Sequence, residues 1–333
     1  MTKLYSCNGS NQIKFPVVCT WFLFSVSSQT VSFLVVKADA QSVILVGTVS
    51  NVERNIVSDL RRVIKALSDM KLVKVILIES DSKDSTRLIL GQLQREIENL
   101  IVISLGDLRE RLPNRIERIR FCRQRYVLEV RRLITQSPTD LVAVADLDGM
   151  NSKLNSVSVA SCFIRDDWDV VTANQKFGYY DLLALRHPTW CPDDIMKLLS
   201  EKQQELRLQL ASRRHNLNRI SVRARFDSIR KDVIYSKMHR IKSDSPWIEV
   251  ESAFGGFAFY KSWIFQEFDY EPAISESEHV LFHRKIRERS GKIFINPALI
   301  NNHINTYNIN RFTLIRQARD LLWNSKIYGL VKG

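Results

Sequence analysis

Two aspartates stand one residue apart in DLVAVADLDGMN, residues 140–151. A mostly apolar run leads straight into Asp146 and Asp148, and Gly149 follows. Paired hard carboxylates at the tip of a buried strand suit Mg²⁺ or Mn²⁺, a cation that takes few ligands from protein and completes its shell with phosphate oxygens. The same spacing also serves a pair of turn-forming, helix-capping aspartates, so the pattern needs its surroundings.

Other stretches could do related chemistry. In ESDSKDST (79–86), Glu79 and Asp81 could accept hydrogen bonds from a base or ribose. Ser82 and Asp84 read equally well as the cap of the next helix. The run 115–134 holds Arg115, Arg118, Arg120, Arg123, Arg125, Arg131 and Arg132. One or two of these, aimed at a sheet edge, could neutralise a diphosphate through bidentate contacts. In SAFGGFAFY (252–260), Gly255 and Gly256 allow a backbone to approach a sugar or phosphate closely, or form a bulge. In SESEHVLFHRKI, Glu276, Glu278 and His279 fall at a helix start. Glu278 is the candidate general base there, and acids favoured by the helix dipole are the alternative.

These residues need a scaffold, and the pattern supplies one. SVILVG (42–47), VKVILIE (73–79), LIVISLG (100–106) and DLVAVADLD (140–148) read as strands. Between them, 51–67, 82–97 and 115–134 carry apolar residues at helical spacing, or a capped helix start. Strands alternating with helices predict an α/β chain with a mainly parallel sheet flanked by helices. In such sheets ligands sit beyond the carboxyl ends of the strands, where each of these polar stretches falls. Residues 193–242 have no glycine or proline and are rich in charged residues. They predict one or two solvated helices inserted into the domain. From 246 the apolar pattern resumes.

Composition bounds the class. The 333 residues are 45% hydrophobic and 26% charged, an ordinary globular balance. Lys and Arg number 49 against 36 for Asp and Glu, leaving +13 and favouring polyanionic partners. Cys7, Cys19, Cys122, Cys162 and Cys191 show no CxxC spacing, which fits a reduced compartment without structural zinc. Residues 15–36 are uncharged, between Lys14 and Lys37, and long enough to span a bilayer. Their polar middle, SVSSQTVS, favours a hairpin over a membrane anchor.

The ordered set of motifs resembles the GT-A glycosyltransferases, and among them the capsule-associated α-mannosyltransferase-like proteins. The E-x-x-S-x-D-x-T strand end is matched by Glu79, Ser82, Asp84 and Thr86. The arginine helix matches at Arg115, Ile116, Ile119, Arg120 and Arg123, with Gln124 where that group has asparagine. Asp146 and Asp148 match the acidic strand end, and Tyr180, Asp181 and Arg186 a tyrosine-aspartate stretch followed by arginine. The match is good over 42–190, loose over 246–303, and silent on 1–40 and the insertion.

The resemblance implies a GT-A-like, Rossmann-like fold and transfer of a sugar from a nucleoside diphosphate sugar to a glycan or lipid-linked acceptor, with Mn²⁺ or Mg²⁺. It places Gly47, Glu79, Asp81, Arg123, Asp146, Gly255 and Gly256 on the donor. It gives Asp146, Asp148 and His303 to the metal, and Glu278 and Asp181 to catalysis. The expected organisation is an N-terminal segment 1–41, a nucleotide-sugar half 42–190, a basic helical insertion 191–245 and an acceptor-side part 246–333. The expected location is cytoplasmic, against an anionic membrane that the basic insertion could touch.

Two rivals remain at this stage. ADLDGMN approaches the D-x-D-G-T signature of haloacid-dehalogenase-type phosphatases, with Asp146 as nucleophile, but Met150 replaces the threonine and three strand-helix units precede it. A nucleic-acid-binding protein suits the charge, yet the basic segment lacks interleaved aromatics and zinc spacing.

Overall fold

The computed structural model describes residues 41–212, 219–272 and 276–303. The choice between hairpin and membrane anchor for 15–36 lies outside them. Among the described residues no helix is long and apolar enough to cross a membrane.

The first half alternates as expected. Strand β1 (Ser42–Val49) leads to helix α1 (Ile56–Ala66), β2 (Lys71–Glu79), α2 (Thr86–Glu96), β3 (Leu100–Ser104), α3 (Arg115–Gln136) and β4 (Leu141–Ala145). Ile56, Leu60 and Val63 recur at helical spacing and put one face of α1 into the core. Each such side chain contributes roughly 1.5 to 3 kcal/mol on burial, so a single charge at Leu60 would break the contact. Asn114 starts α3 by accepting from the backbone N–H groups of Ile116 and Glu117. All five residues of β4 are buried, because helices cover both faces of the sheet. Alternate side chains of β1 serve two cores, Ile44 and Val46 on one side, Val43 and Leu45 on the other.

The second half is less regular. Helix α4 (Ser156–Ala160) and β5 (Val170–Gln175) precede two longer helices, α5 (Ile195–Ser212) and α6 (Arg219–Val233). These two helices fall within the segment expected to be helical, and Ile195, Leu199 and Val233 pack them into the core. Then come β6 (Ile248–Glu249), β7 (Phe257–Lys261), α7 (Trp263–Glu267), α8 (Glu278–Glu288) and β8 (Ile293–Asn302).

The eight strands form one sheet in the order β3-β2-β1-β4-β7-β5-β8-β6. Strands β3, β2, β1 and β4 run parallel. Strand β7 is antiparallel to both neighbours, β4 and β5, and β6 is antiparallel to β8. The sheet is therefore mixed, parallel in its first half and reversed at β7. From β1 the chain winds outward to β2 and β3, then returns to lay β4 on the other side of β1. That change of direction is a topological switch point, and its crevice opens where β1 and β4 end. Asp146 is the next residue after β4.

Candidate active site

The turn after β4 is held from three sides. The N–H of Asp146 donates to Gly256 O at 3.0 Å. From α1, Asp59 Oδ2 accepts the N–H of Gly149 at 2.6 Å, and the cap residue Asn55 donates to Asp148 O at 2.9 Å. From the end of β8, Asn302 donates its side-chain amide to Gly149 O at 3.0 Å. Backbone contacts on every side fix the turn and leave the two carboxylates as its outward-facing groups. Asp148 is exposed and Asp146 half-buried.

Behind the turn lies a network of buried amides. Asn151 donates to Asp146 O and to Gly256 O. Asn301 donates to Asn151 Oδ1 at 3.1 Å and to Gly255 O at 2.8 Å. Gln175 donates to Gly255 O at 2.9 Å and to Asn301 Oδ1 at 3.1 Å. A fully connected buried network specifies one arrangement, since breaking any member leaves an unpaired polar group. It holds the Gly255-Gly256 turn against the end of β4. Both glycines have positive φ, +73° and +85°. A Cβ on Gly255 would stand 2.7 Å from Ala173 O, so packing as well as conformation demands glycine there.

Arg123 organises the charge. Its Nε donates to Glu278 Oε1 at 2.9 Å, and Nη2 lies 3.5 Å from Asp146 Oδ1. Nη1 donates to Tyr126 Oη at 3.2 Å, and the guanidinium sits 5.3 Å from the centre of the Phe254 ring. The residue is only 4% exposed. Burial opposes its charge, but the surrounding Tyr126, Glu278, Tyr270 and Asp146 hold its pKa well above the ordinary value.

Against this one guanidinium stand several carboxylates. Burial pushes Asp146 up to about 7; Arg123 pulls it back, and the like charges of Asp148, Asp181 and Glu278 add to the rise. Desolvation also raises Asp148, with Arg115 opposing, and burial raises Asp181. Carboxylates forced together this way are short of positive charge. A divalent cation bound through hard oxygens is the partner they fit.

Several expected roles change. His303 does not join the aspartates; it lies edge-on to Phe177, with ring centres 6.0 Å apart, near Lys176 and Lys153. Among the described residues no group of three His, Cys, Asp or Glu is arranged to hold a metal ion. The expected set of Asp146, Asp148 and His303 is therefore not brought together as three metal ligands. Gly47 is buried within β1, where a Cβ would meet Ala145 O at 2.8 Å; it lets β1 and β4 approach and touches no open crevice.

Glu79 is fully buried and spent inside the fold. It accepts from the N–H of Ser82 at 3.1 Å, from Arg87 Nε at 3.1 Å and from the Ser104 hydroxyl. The expected contact with base or ribose does not fit that placement. Ser82, Asp84 and Thr86 likewise accept backbone N–H groups of Asn51, Glu53 and Val52, so the motif stitches the β2–α2 loop to the β1–α1 loop. Asp81, just past the end of β2, is buried as well, at 5% exposed. Its φ is +59°, its Oδ1 accepts the N–H of Leu108 at 2.8 Å, and Arg109 and Arg118 approach at 3.8 and 3.6 Å.

Arg123 was expected on a diphosphate, but protein groups engage all of its nitrogens. Glu278, expected as a base, is 8% exposed and tied to that guanidinium. Asp181, also expected in catalysis, accepts the N–H groups of Gly255 at 2.9 Å and Ala184 at 3.3 Å. The three converge on Asp146 as a frame around it. Gln124, standing for an asparagine in the resemblance, faces away and binds Asp269 and the N–H of Tyr270. Sequence reasoning missed Asn55, Asp59, Asn151, Gln175, Asn301 and Asn302. The paired asparagines beside His303 were the only signal for any of them.

No family model matches the chain, and no curated protein matches its sequence. Solved structures do match. A mannosyltransferase from Pyrobaculum calidifontis, in complex with GDP-Man and Mn²⁺, aligns with a TM-score of 0.42 and 10% identity over 80% of this chain and 58% of that one. Glucosyl-3-phosphoglycerate synthase from Mycobacterium tuberculosis, with Mn²⁺, UDP and phosphoglyceric acid, gives 0.36 and 12% over 82% and 71%. TarS from S. aureus, with UDP, gives 0.39 and 14% over 77% and 57%. The chain thus spans little more than half of the first and third. At these scores the likeness carries no argument of its own, and the fold and chemistry rest on the strands and side chains described above.

Proposed function

We propose that this chain is a metal-dependent glycosyltransferase of the GT-A type. It would transfer a sugar from a nucleoside diphosphate sugar to a glycan or lipid-linked acceptor during cell-surface polysaccharide assembly. The observation that carries the reading is the placement of Asp146 and Asp148 at the β1/β4 switch point, inside a frame of carboxylates short of positive charge.

Asp146 and Asp148 would hold Mn²⁺ or Mg²⁺, which when bound supplies neutralising charge for a departing diphosphate. Arg123 fixes the orientation of Asp146 and keeps Glu278 beside it. Asp181 holds the Gly255 backbone in place. The buried Gly255-Gly256 turn braces the end of β4 from behind; a Cβ on either glycine would meet protein atoms, so the expected close approach of a sugar or phosphate at these glycines is given up. We assign Asp81, with its φ of +59° and two arginines beside it, to the donor side of the site. The division into a nucleotide-sugar half, a basic insertion and an acceptor-side part follows the same reading. So does a cytoplasmic position against an anionic membrane, where a lipid-linked acceptor would reside.

Thermal unfolding with a panel of nucleoside diphosphates, with and without Mn²⁺, tests the proposal. A ligand that binds only the folded state at a hundred times its dissociation constant adds about 2.7 kcal/mol of stability. One nucleotide should raise the midpoint, and only with metal. No shift from any nucleotide in either condition would overturn the reading.

A further inference from the structure

Helix α1 has a second face. Asp59 and Asn55 turn toward the 146–149 turn, while Ser58, Arg61, Arg62 and Lys65 follow one another at helical spacing along another side, with Ser68 in the turn just beyond the helix. With the 154–156 segment they enclose a groove of about 500 Å³, floored by the buried Leu154 and Ala66. Three cations line it, with the polar groups of Ser58, Ser68, Asn155 and Ser156, and no carboxylate does.

The cations are available. Arg61 makes one ion pair, with Glu96 at 2.8 Å, between two largely exposed side chains, and such a pair is worth little. Arg62 and Lys65 are exposed, and neither makes a hydrogen bond or ion pair with any described residue. Basic side chains beside hydroxyl donors, with Glu96 on Arg61 and Asp59 near Arg62 as the neighbouring acids, have the chemistry of a phosphate receptor: guanidinium and ammonium for the charge, hydroxyls for the remaining oxygens.

We propose that the groove between α1 and residues 154–156 binds a phosphate-bearing ligand, at a site separate from the Asp146–Asp148 turn. The ligand is either a soluble phosphate ester or the phosphate headgroup of a lipid. The same helix joins the two places, since Ser58 lines the groove and its neighbour Asp59 holds Gly149. Phosphate binding would therefore stiffen the helix that braces the turn. The inference does not depend on the transferase reading.

The test uses the full chain with inorganic phosphate as probe, without metal or nucleotide, against sodium chloride at equal ionic strength. Arg62→Gln/Lys65→Gln is compared with the wild type and with Asp148→Ala. Phosphate should raise the unfolding midpoint of the wild type and of Asp148→Ala. Binding to the double variant should weaken by roughly tenfold or more. An equal shift in the double variant overturns the proposal, as does no shift in the wild type. A shift lost in Asp148→Ala but kept in the double variant also overturns it, because phosphate would then occupy the carboxylate site. Sedimentation with phosphatidylcholine vesicles carrying phosphatidic acid separates the two sources. Pelleting that the double variant loses assigns a headgroup, and no pelleting with the phosphate shift retained assigns a soluble ester.

Discussion

Arg123 and Glu278 stand 155 residues apart in the chain, and Nε meets Oε1 at 2.9 Å in the interior. The pair ties the middle of α3 to the first residue of α8, and through Asp146 it also reaches the end of β4. Removing the guanidinium leaves Glu278 buried without its partner and takes from the half-buried Asp146 its nearest positive charge. Arg123→Met should cost about 3 to 5 kcal/mol, as breaking a buried pair does. Urea denaturation checks this, and Glu278→Gln in the same background should recover part of the loss. A cost below about 1 kcal/mol would show that the pair does not bear on folding.

Asp148 predicts the opposite balance. It is exposed, and the turn around it is held by backbone groups that a substitution leaves intact. Asp148→Asn should change stability by no more than about 0.5 kcal/mol. It should abolish the stabilisation that a nucleoside diphosphate confers with Mn²⁺. Full metal-dependent stabilisation in that variant would remove Asp148 from the proposed site.

Two glycines make a matched comparison. At Gly256, with φ +85°, a Cβ would meet Tyr180 Oη at 3.1 Å and Met150 Cβ at 3.2 Å. Gly256→Ala should destabilise by about 1 to 3 kcal/mol and disturb the carbonyl that receives the N–H of Asp146. At Gly91, inside α2, a Cβ would meet nothing within 4 Å. Gly91→Ala should stabilise by about 0.5 to 1 kcal/mol. Thermal unfolding of the two variants side by side measures both.

His283 sets an acid limit. Its ring nitrogens lie 2.9 Å from Ser252 Oγ and 2.9 Å from Tyr260 Oη, and burial, with Arg123 adding to it, pushes the pKa down to about 3. The unfolded chain takes up a proton near the ordinary value of 6.5, and the folded chain only near 3. The neutral ring's contribution is therefore complete above pH 6.5 and is lost as pH falls toward 3, at up to about 1.4 kcal/mol per pH unit. Stability measured from pH 7 to 4 should fall along this window, and His283→Gln should flatten the slope. An unchanged slope in that variant would assign the acid sensitivity to other groups.

The sequence shows what local pattern can show. Alternating apolar runs and helical periods located β1 to β4 and α1 to α3, because each depends on neighbours along the chain. The exit of β4 was legible for the same reason, an apolar strand meeting two acids. The direction of β7 was not: four of its five residues are buried, so no alternation marks a face, and its antiparallel setting depends on where the chain returns. The roles of Glu79, Arg123 and Glu278 were hidden too. A residue type states what chemistry a side chain can do, while its tertiary partner decides whether that capacity is already used. Glu79 offers a carboxylate suited to a ribose, yet Ser82, Arg87 and Ser104 occupy it.

The reversed strand also governs the order of assembly. Strand β7 enters between β4 and β5, both made long before it. Until it arrives the paired strands are β3, β2, β1 and β4, with the edge of β4 open to pairing with another chain, and β5 has neither of its neighbours, since β8 comes later still in the chain. Closure by contacts so distant in sequence is slow. Asp146 gains its partner Gly256 only as β7 is placed, and Gly149 its partner Asn302 only with β8, so refolding should restore the acidic turn and the middle of the sheet together, and a nascent chain ending before β7 would carry the two aspartates without their frame.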